Sequence, residues 1–179
     1  MKGKFITSGF PRSGSTYLNQ ALNLLYYPEQ KVNWNRHTVI AIEQANQIMV
    51  PFRNPTDSIA SWHKYPSRSE IAADIAFYIR FYSAVLNDLN KVVLMNFYQF
   101  TKDLDYIKDK VFKNFGIDTN RVVTDEQVRQ AMLFNGKDIN LPRNNKEELD
   151  AAKIEIINAE KYNQCLELYA ELIEAHNKQ

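Results

Sequence analysis

The 179-residue chain has little cysteine, no long apolar run and almost no net charge. Its single cysteine, Cys165, has no partner for an internal disulfide, which favours a reducing compartment. The apolar runs are much shorter than a membrane span, and Pro11 and Arg12 interrupt the N-terminal segment before a signal-peptide core develops. A net charge of +1 gives no general attraction to nucleic acid or anionic membranes. These absences predict a soluble, cytoplasmic protein that has neither nucleic acid nor a membrane as a partner.

Glycine is also scarce, with five in the whole chain, but Gly9 and Gly14 fall together in one short loop. This loop lies between an apolar run at 4–8 and a segment in which apolar residues recur at helical spacing from Leu18 to Leu25. The pattern predicts a strand, a tight loop and a helix. Such a unit aims backbone N–H groups and the positive end of a helix dipole at one point. The sequence therefore predicts an anion cradle here, most naturally for a phosphate group.

The loop differs from a Walker A loop in the position of its cation. The two glycines and Thr16 match that pattern, but Ser15 replaces the lysine, and Arg12 supplies the positive charge from within the loop. A nucleotide hydrolase also needs a carboxylate at a strand end to hold Mg²⁺. The later apolar runs at 48–50 and 92–95 lead into no such carboxylate. The sequence thus favours a phosphate site that works without a metal ion.

Residues 11–17, with the sequence PRSGSTY, resemble the 5′-phosphosulfate loop of the sulfotransferases that use 3′-phosphoadenosine 5′-phosphosulfate (PAPS). The resemblance implies that this loop binds the nucleotide, and that an aromatic ring at the position of Tyr17 stacks on adenine. The implied nucleotide-binding residues are Arg12, Ser13, Gly14, Ser15, Thr16 and Tyr17.

Residues 53–61, with the sequence RNPTDSIAS, follow a predicted strand and resemble the 3′-phosphate element of the same family. In that element an arginine at the strand end and a serine eight residues later bind the 3′-phosphate, which implies these roles for Arg53 and Ser61. Two motifs in this order, each after its own strand, are more specific than either alone. The late loop that usually clamps the 3′-phosphate is missing, and Arg143 is offered as its substitute.

The resemblance also implies a catalytic base, because the family carries a histidine between the two phosphate motifs. His37 lies in that interval and is the candidate base, while Arg12 would neutralise the leaving phosphate. His63, which closely follows Ser61, is the reserve candidate. Either histidine could instead be a packed or solvated residue without a catalytic role, and these alternatives stay open.

Alternation of strands and helices predicts an α/β fold with a parallel sheet of about four or five strands. The predicted strands lie at residues 4–8, 37–42, 47–52 and 91–95. The resemblance implies a three-layer P-loop-like fold, with helices flanking the central sheet, in one sulfotransferase-like domain spanning 1–179. The segment 147–176 is predicted to form one or two terminal helices. Their predicted inward-facing residues are Ile154, Ile157, Tyr162, Leu166, Tyr169 and Leu172.

The leading hypothesis is a sulfotransferase that moves a sulfuryl group from PAPS to a hydroxyl or amine on a small-molecule or carbohydrate acceptor. PAPS is the expected cosubstrate, PAP (3′-phosphoadenosine 5′-phosphate) the expected product, and no metal is expected. Two alternatives remain. One is a P-loop kinase or nucleotide hydrolase, and the other is a protein of the same fold that binds PAPS or PAP without catalysis.

Overall fold

The computed structural model describes residues 6–27, 47–63, 70–134 and 146–179. Within them the chain forms eight α-helices and one pair of parallel strands. The elements are α1 (Ser15–Tyr26), β1 (Ile48–Phe52), α2 (Pro55–His63), α3 (Ile71–Asn87), β2 (Val92–Asn96), α4 (Phe97–Phe100), α5 (Leu104–Phe115), α6 (Asp125–Phe134), α7 (Lys146–Ile157) and α8 (Tyr162–Asn177). None of the described helices combines the length and apolar composition needed to cross a membrane.

The sheet is short and entirely parallel in the part that the structure describes. β1 pairs with β2 in a register that joins Phe52 to Asn96, and Thr7 forms a parallel bridge to Met49 on the other side of β1. The chain around Thr7 therefore runs beside β1 as a minimal third strand. All three segments end at the same side of the sheet, called here the carboxyl edge. Each is followed by a turn or helix that starts from this edge.

The α/β prediction is confirmed at this coarse level. The strands predicted at 47–52 and 91–95 are found at Ile48–Phe52 and Val92–Asn96, and the one predicted at 4–8 contributes the bridge at Thr7. The strand predicted at 37–42 lies outside the described residues. A sheet of four or five strands is accordingly not seen among the residues that are described.

Helices pack on both faces of the sheet. Successive side chains of a strand point to opposite faces, so the apolar residues of β1 enter two separate cores. Ile48, Val50 and Phe52 belong to a core formed with α2, α3, α7 and α8. Met49 and Val93 belong to a second core formed with α1, α5 and α6. Burial on both faces explains why β1 is apolar along its whole length instead of alternating with polar residues.

Several helix ends follow directly from local sequence. Thr124 and Gln127 form a capping box, since Gln127 N–H donates to Thr124 Oγ1 at 3.2 Å and Thr124 N–H donates to Gln127 Oε1 at 2.8 Å. Gly116 ends α5 with φ of 65°, a left-handed conformation that glycine adopts without strain. Asn54 accepts the N–H of Thr56 at 2.9 Å and so caps α2. This last cap fixes the helix that carries the second motif.

The prediction for the inward face of the terminal helices is wrong in part. Ile154 and Ile157 are 63% and 53% exposed, whereas Ala152 and Ile156 are buried. Leu149 packs against the same core as these two buried residues. The buried stripe of α7 therefore follows positions 149, 152 and 156, which share one helical face, and the two exposed isoleucines lie outside it. Tyr162 and Leu172 of α8 are buried as predicted, but Leu166 is 39% exposed.

His176 couples the end of α8 to α5 in a buried position. Its Nε2 lies 2.7 Å from the Tyr106 hydroxyl, and its ring lies 5.7 Å from the Phe52 ring. Burial, and then the positive charge of Lys110, lower the pKa of His176 below its ordinary value. The folded protein thus favours neutral imidazole more strongly than the unfolded chain does.

We expect a pH-dependent loss of stability from His176. Since its pKa is lower in the folded state, the unfolded chain binds more protons, and the free energy of unfolding falls as pH drops below the ordinary histidine value of about 6.5. Above that pH His176 is neutral in both states, and the free energy of unfolding no longer depends on its protonation. Urea unfolding at a series of pH values between about 7.5 and 5 measures the slope, and His176→Gln should make it shallower. An equal slope in both proteins would contradict this assignment.

Candidate anion-binding site

The loop between the first strand and α1 is braced by its own hydrogen bonds. Ser13 is fully buried, and both its N–H and its hydroxyl donate to the carbonyl of Phe10, at 3.1 and 2.6 Å. The hydroxyl predicted to bind phosphate is thus already engaged within the loop. The structure gives Ser13 the position of a turn residue, while its role as a ligand remains a prediction.

Glycine is required at both ends of this loop because neighbouring side chains lie very close. A Cβ at Gly9 would lie 2.7 Å from both Pro51 Cγ and Ser13 Oγ. A Cβ at Gly14 would lie 2.6 Å from Phe97 Cδ2, and the φ of this residue is 93°. Phe97 therefore lies directly against the point where the loop enters α1.

The first turn of α1 is partly exposed and holds no acidic residue. Gly14 is the N-cap and provides no side-chain hydrogen bond, and the first turn contains no acidic residue. The first N–H groups of any helix lack intrahelical acceptors, and they carry the positive end of the helix dipole. Ser15 and Thr16 both lie in this first turn, where Ser15 is buried and Thr16 is partly exposed. The loop and helix geometry predicted for the cradle is therefore present, while anion binding by it remains a prediction.

Arg12, Arg53 and Ser61 come together although they are far apart in sequence. Arg12 Nε donates to Ser61 Oγ at 2.9 Å, across a separation of 49 residues. Arg53 Nη1 donates to the backbone carbonyl of Arg12 at 3.3 Å. The two predicted phosphate motifs thus form one continuous surface at the carboxyl edge.

Arg12 also carries backbone strain at this position. Its φ is 67°, and among the described residues it is the one non-glycine residue with positive φ. The left-handed conformation costs about 1–2 kcal/mol for an L-residue. The hydrogen bonds from Arg53 and to Ser61 hold this conformation. Strain that surrounding contacts maintain is typical of functional sites.

Arg53 follows β1 and lies with its guanidinium above an aromatic ring. Its Cζ is 4.4 Å from the centre of the Phe97 ring, within the range of a cation–π contact. Its side chain is 24% exposed, and its Nε is buried without a hydrogen-bond partner in the described part of the chain. Protein contacts thus hold the guanidinium in place, while the side chain as a whole remains partly exposed.

Asp57 contacts three side chains, namely the cations of Arg53 and Lys153 and the hydroxyl of Tyr98. Arg53 Nη2 lies 3.8 Å from Asp57 Oδ2, the Tyr98 hydroxyl donates to the same oxygen at 2.8 Å, and Lys153 Nζ lies 2.9 Å from Oδ1. Burial alone would raise the pKa of Asp57, but the hydrogen bonds from Lys153 and Tyr98, with the charge of Arg53, lower it overall. Burial and the bond to Asp57 raise the pKa of Tyr98 to about 12. The carboxylate is therefore ionised and the phenol is protonated near neutral pH.

Tyr17 points into the protein core. It is 6% exposed, its hydroxyl donates to Asp125 at 2.6 Å, and its ring lies 6.0 Å from the Phe100 ring. Burial and the bond to Asp125 raise its pKa. The structure shows this residue fastening α1 to α6, while its proposed stacking on adenine remains a prediction.

The reserve base His63 faces away from the loop. Its Nδ1 lies 3.1 Å from Asp74 Oδ2, and this aspartate is a buried residue of α3. Ser61 and His63 are two residues apart on one helix and so lie on nearly opposite sides. Since Ser61 faces Arg12, His63 instead ties α2 to α3. His37 and Arg143, the predicted base and late clamp, lie outside the described residues.

Sequence reasoning missed four residues of the site, namely Asp57, Phe97, Tyr98 and Lys153. Asp57 could have been found, because it lies in the first turn of the helix that directly follows Arg53, only four residues later in the sequence. Phe97 and Tyr98 directly follow β2 and therefore start at the carboxyl edge. Nothing in the local sequence links Lys153 to a motif about 100 residues earlier, since their contact depends on how α7 packs.

Positive charge exceeds negative charge at this edge. Among the described residues, Arg53 and Lys153 contact the carboxylate of Asp57, Arg12 lies beside Arg53 and Ser61, and the α1 N-terminus adds partial positive charge. Such a surface suits a ligand with at least two negative charges. Its interpretation depends on this geometry, because neither a protein-family model, nor a curated protein, nor a solved structure matches the chain.

Proposed function

We propose that the chain is a small PAPS-dependent sulfotransferase, which transfers a sulfuryl group to a hydroxyl or amine on a small-molecule or carbohydrate acceptor. The observation that supports this most strongly is the convergence of Arg12, Arg53 and Ser61. These residues come from the two separate motifs that resemble the 5′- and 3′-phosphate elements of that family. A nucleotide with phosphates on both its 5′ and 3′ positions would use both motifs at once.

The 5′ side of the nucleotide fits the loop and the first turn of α1. During transfer the bond from sulfur to the bridging phosphate oxygen breaks, the acceptor oxygen or nitrogen bonds to sulfur, and PAP leaves with the extra negative charge. Arg12 is exposed beside this turn, and its guanidinium can stabilise that charge while the α1 N–H groups bind the phosphate oxygens. Catalysis would then consist chiefly of positioning and charge stabilisation, by analogy with phosphoryl transfer.

The 3′ side fits Arg53 and Ser61. Arg53 is already oriented by the Phe97 ring and by the Arg12 carbonyl, so little conformational freedom is lost when it binds a phosphate. Ser61 accepts a hydrogen bond from Arg12, and its own hydroxyl proton remains available for donation. These two side chains would distinguish PAPS from nucleotides without a 3′-phosphate.

The remaining parts of the proposal come from the sequence resemblance. His37 is our candidate for the base that takes the acceptor proton, and Arg143 is the candidate late clamp. The finer fold belongs here too: a three-layer, P-loop-like single domain with a sheet of four or five strands, and a cytoplasmic location. The observed packing of helices on both faces of a parallel sheet supports this architecture.

Conversion of PAPS to PAP tests the proposed activity. The purified protein is incubated with PAPS and a panel of phenols and sugars, with EDTA present, and PAP is measured by chromatography. We expect acceptor-dependent PAP formation, and a fall on the order of 100-fold in Arg12→Ala, because a donor to the developing charge is lost. Arg121→Ala removes an exposed arginine elsewhere and should leave the rate unchanged.

Two other outcomes would redirect the proposal. Turnover of ATP that requires Mg²⁺, with PAPS left intact, would favour the kinase or hydrolase alternative. Binding of PAP without conversion of PAPS by any acceptor would favour a nucleotide-binding protein of the same fold that lacks catalysis. Either result would overturn the sulfotransferase assignment.

A further inference from the structure

We infer that Lys153, on α7, is a third cationic ligand of this site and binds the 3′-phosphate together with Arg53. The inference rests on the proposed function, because it names an additional residue for the same nucleotide. Its basis is the shared carboxylate: Asp57 lies 2.9 Å from Lys153 Nζ through one oxygen and 3.8 Å from Arg53 Nη2 through the other. The two cations therefore lie on either side of a single small anionic group.

The position of Lys153 is fixed by the packing of α7. Leu149, Ala152 and Ile156 form the buried stripe of this helix and contact the core that includes Ile59 of α2. Lys153 directly follows one residue of that stripe and so lies at its border, next to α2. The ammonium group reaches the second motif because the two helices pack against each other.

The three charged side chains remain accessible to a ligand. The side chains of Lys153, Asp57 and Arg53 are 32%, 29% and 24% exposed. A phosphate dianion carries more charge than one carboxylate, and it offers three oxygens to surrounding donors. Lysine has three donors on a flexible stem, so Lys153 can bind the phosphate while it still contacts Asp57.

A purely structural role for Lys153 is the competing explanation. A partly exposed ion pair between two helices contributes little to stability, and loss of such a pair affects any ligand of the site indirectly and without selectivity. A direct ligand behaves differently, because its loss weakens only those nucleotides that carry the group it contacts. Selectivity between PAP and AMP therefore separates the two roles.

The test is calorimetric titration of full-length variants with PAP and with AMP. Lys153→Met should weaken PAP binding by about tenfold and AMP binding by less than about twofold, as for the loss of one charged hydrogen bond. Lys153→Arg should restore most of the PAP affinity. Lys113→Met breaks a comparable exposed ion pair with Asp109 on α5 and should change neither affinity.

Asp57→Asn provides the decisive comparison, since it breaks the same ion pair but keeps the lysine. Removing a negative charge beside the phosphate should leave PAP binding as tight as in the unmodified protein, or tighter. An equal loss of PAP affinity in Asp57→Asn and Lys153→Met would show that Lys153 acts only by holding Asp57. Unchanged PAP binding in Lys153→Met would likewise overturn the inference. Failure of the unmodified protein to prefer PAP over AMP would instead refute the proposed function.

Discussion

In Arg53→Ala protein, the affinity for PAP is expected to fall on the order of 100-fold, the effect of losing two charged hydrogen bonds to one phosphate. Affinity for AMP should fall by much less, on the order of threefold, because AMP lacks the 3′-phosphate. A small loss for AMP is expected since Arg53 also holds the carbonyl of Arg12, which shapes the loop. Parallel calorimetric titrations with the two nucleotides measure both values.

Two further variants test whether the guanidinium group of Arg53 itself, and not only its positive charge or its contact with an aromatic ring, is needed for PAP binding. Arg53→Lys keeps the positive charge but loses the planar pair of donors. Its affinity for PAP should therefore be intermediate between that of the unmodified protein and that of Arg53→Ala. Arg80→Ala removes an arginine that lies 5.6 Å from the Phe77 ring, a similar cation–π contact on α3, and this variant should bind PAP normally because Arg80 belongs to neither motif. Equal losses of PAP and AMP affinity in Arg53→Ala would contradict the assignment of Arg53 to the 3′-phosphate.

Gly14→Ala is expected to destabilise the protein by about 3 kcal/mol and to abolish nucleotide binding. The φ of 93° is unfavourable for alanine, and the new methyl group would lie 2.6 Å from Phe97 Cδ2 and 2.8 Å from Phe100 Cζ. Relief of this overlap requires the loop or α4 to move. Movement of either would displace the α1 N-terminus from Phe97, on which Arg53 rests.

Gly116→Ala is the matched control for the backbone effect. Gly116 also has positive φ, at 65°, but a Cβ there would meet no atom within 4 Å. Gly116→Ala should therefore lower the free energy of unfolding by only about 1 kcal/mol, because alanine is unfavourable at positive φ, and it should leave PAP binding intact. Urea unfolding and PAP titration of both variants make the comparison. Equal destabilisation by the two substitutions would show that the close approach of Phe97 to Gly14 does not contribute to the free energy lost in Gly14→Ala.

Local sequence predicted the strand, loop and helix at the N-terminus, together with the two later strands, and it also explains several helix caps. These features depend on short-range periodicity, on glycine conformation and on capping side chains. The approach of Arg53 to Arg12 could also be anticipated, because each follows a parallel strand and parallel strands end at one edge. This reasoning needed no knowledge of how the helices pack.

Features set by helix packing were not predictable in the same way. The hydrogen bond from the Tyr17 hydroxyl to Asp125 joins residues 108 apart in the sequence and depends on the packing of α6 against α1. Lys153 reaches Asp57 because of the buried stripe on α7, and the choice of Ile154 and Ile157 for that stripe was wrong. Apolar residues occur on more than one face of α7, so periodicity alone did not select the buried one.

The most direct test of the whole account is calorimetric titration of the unmodified protein with PAP, AMP and ATP with Mg²⁺. It requires no knowledge of the acceptor, and it examines whether the two motifs act on one nucleotide. The account predicts that PAP binds with a Kd on the order of micromolar and that AMP binds much more weakly. Equal affinity for PAP and AMP, or tightest binding of ATP with Mg²⁺, would contradict it.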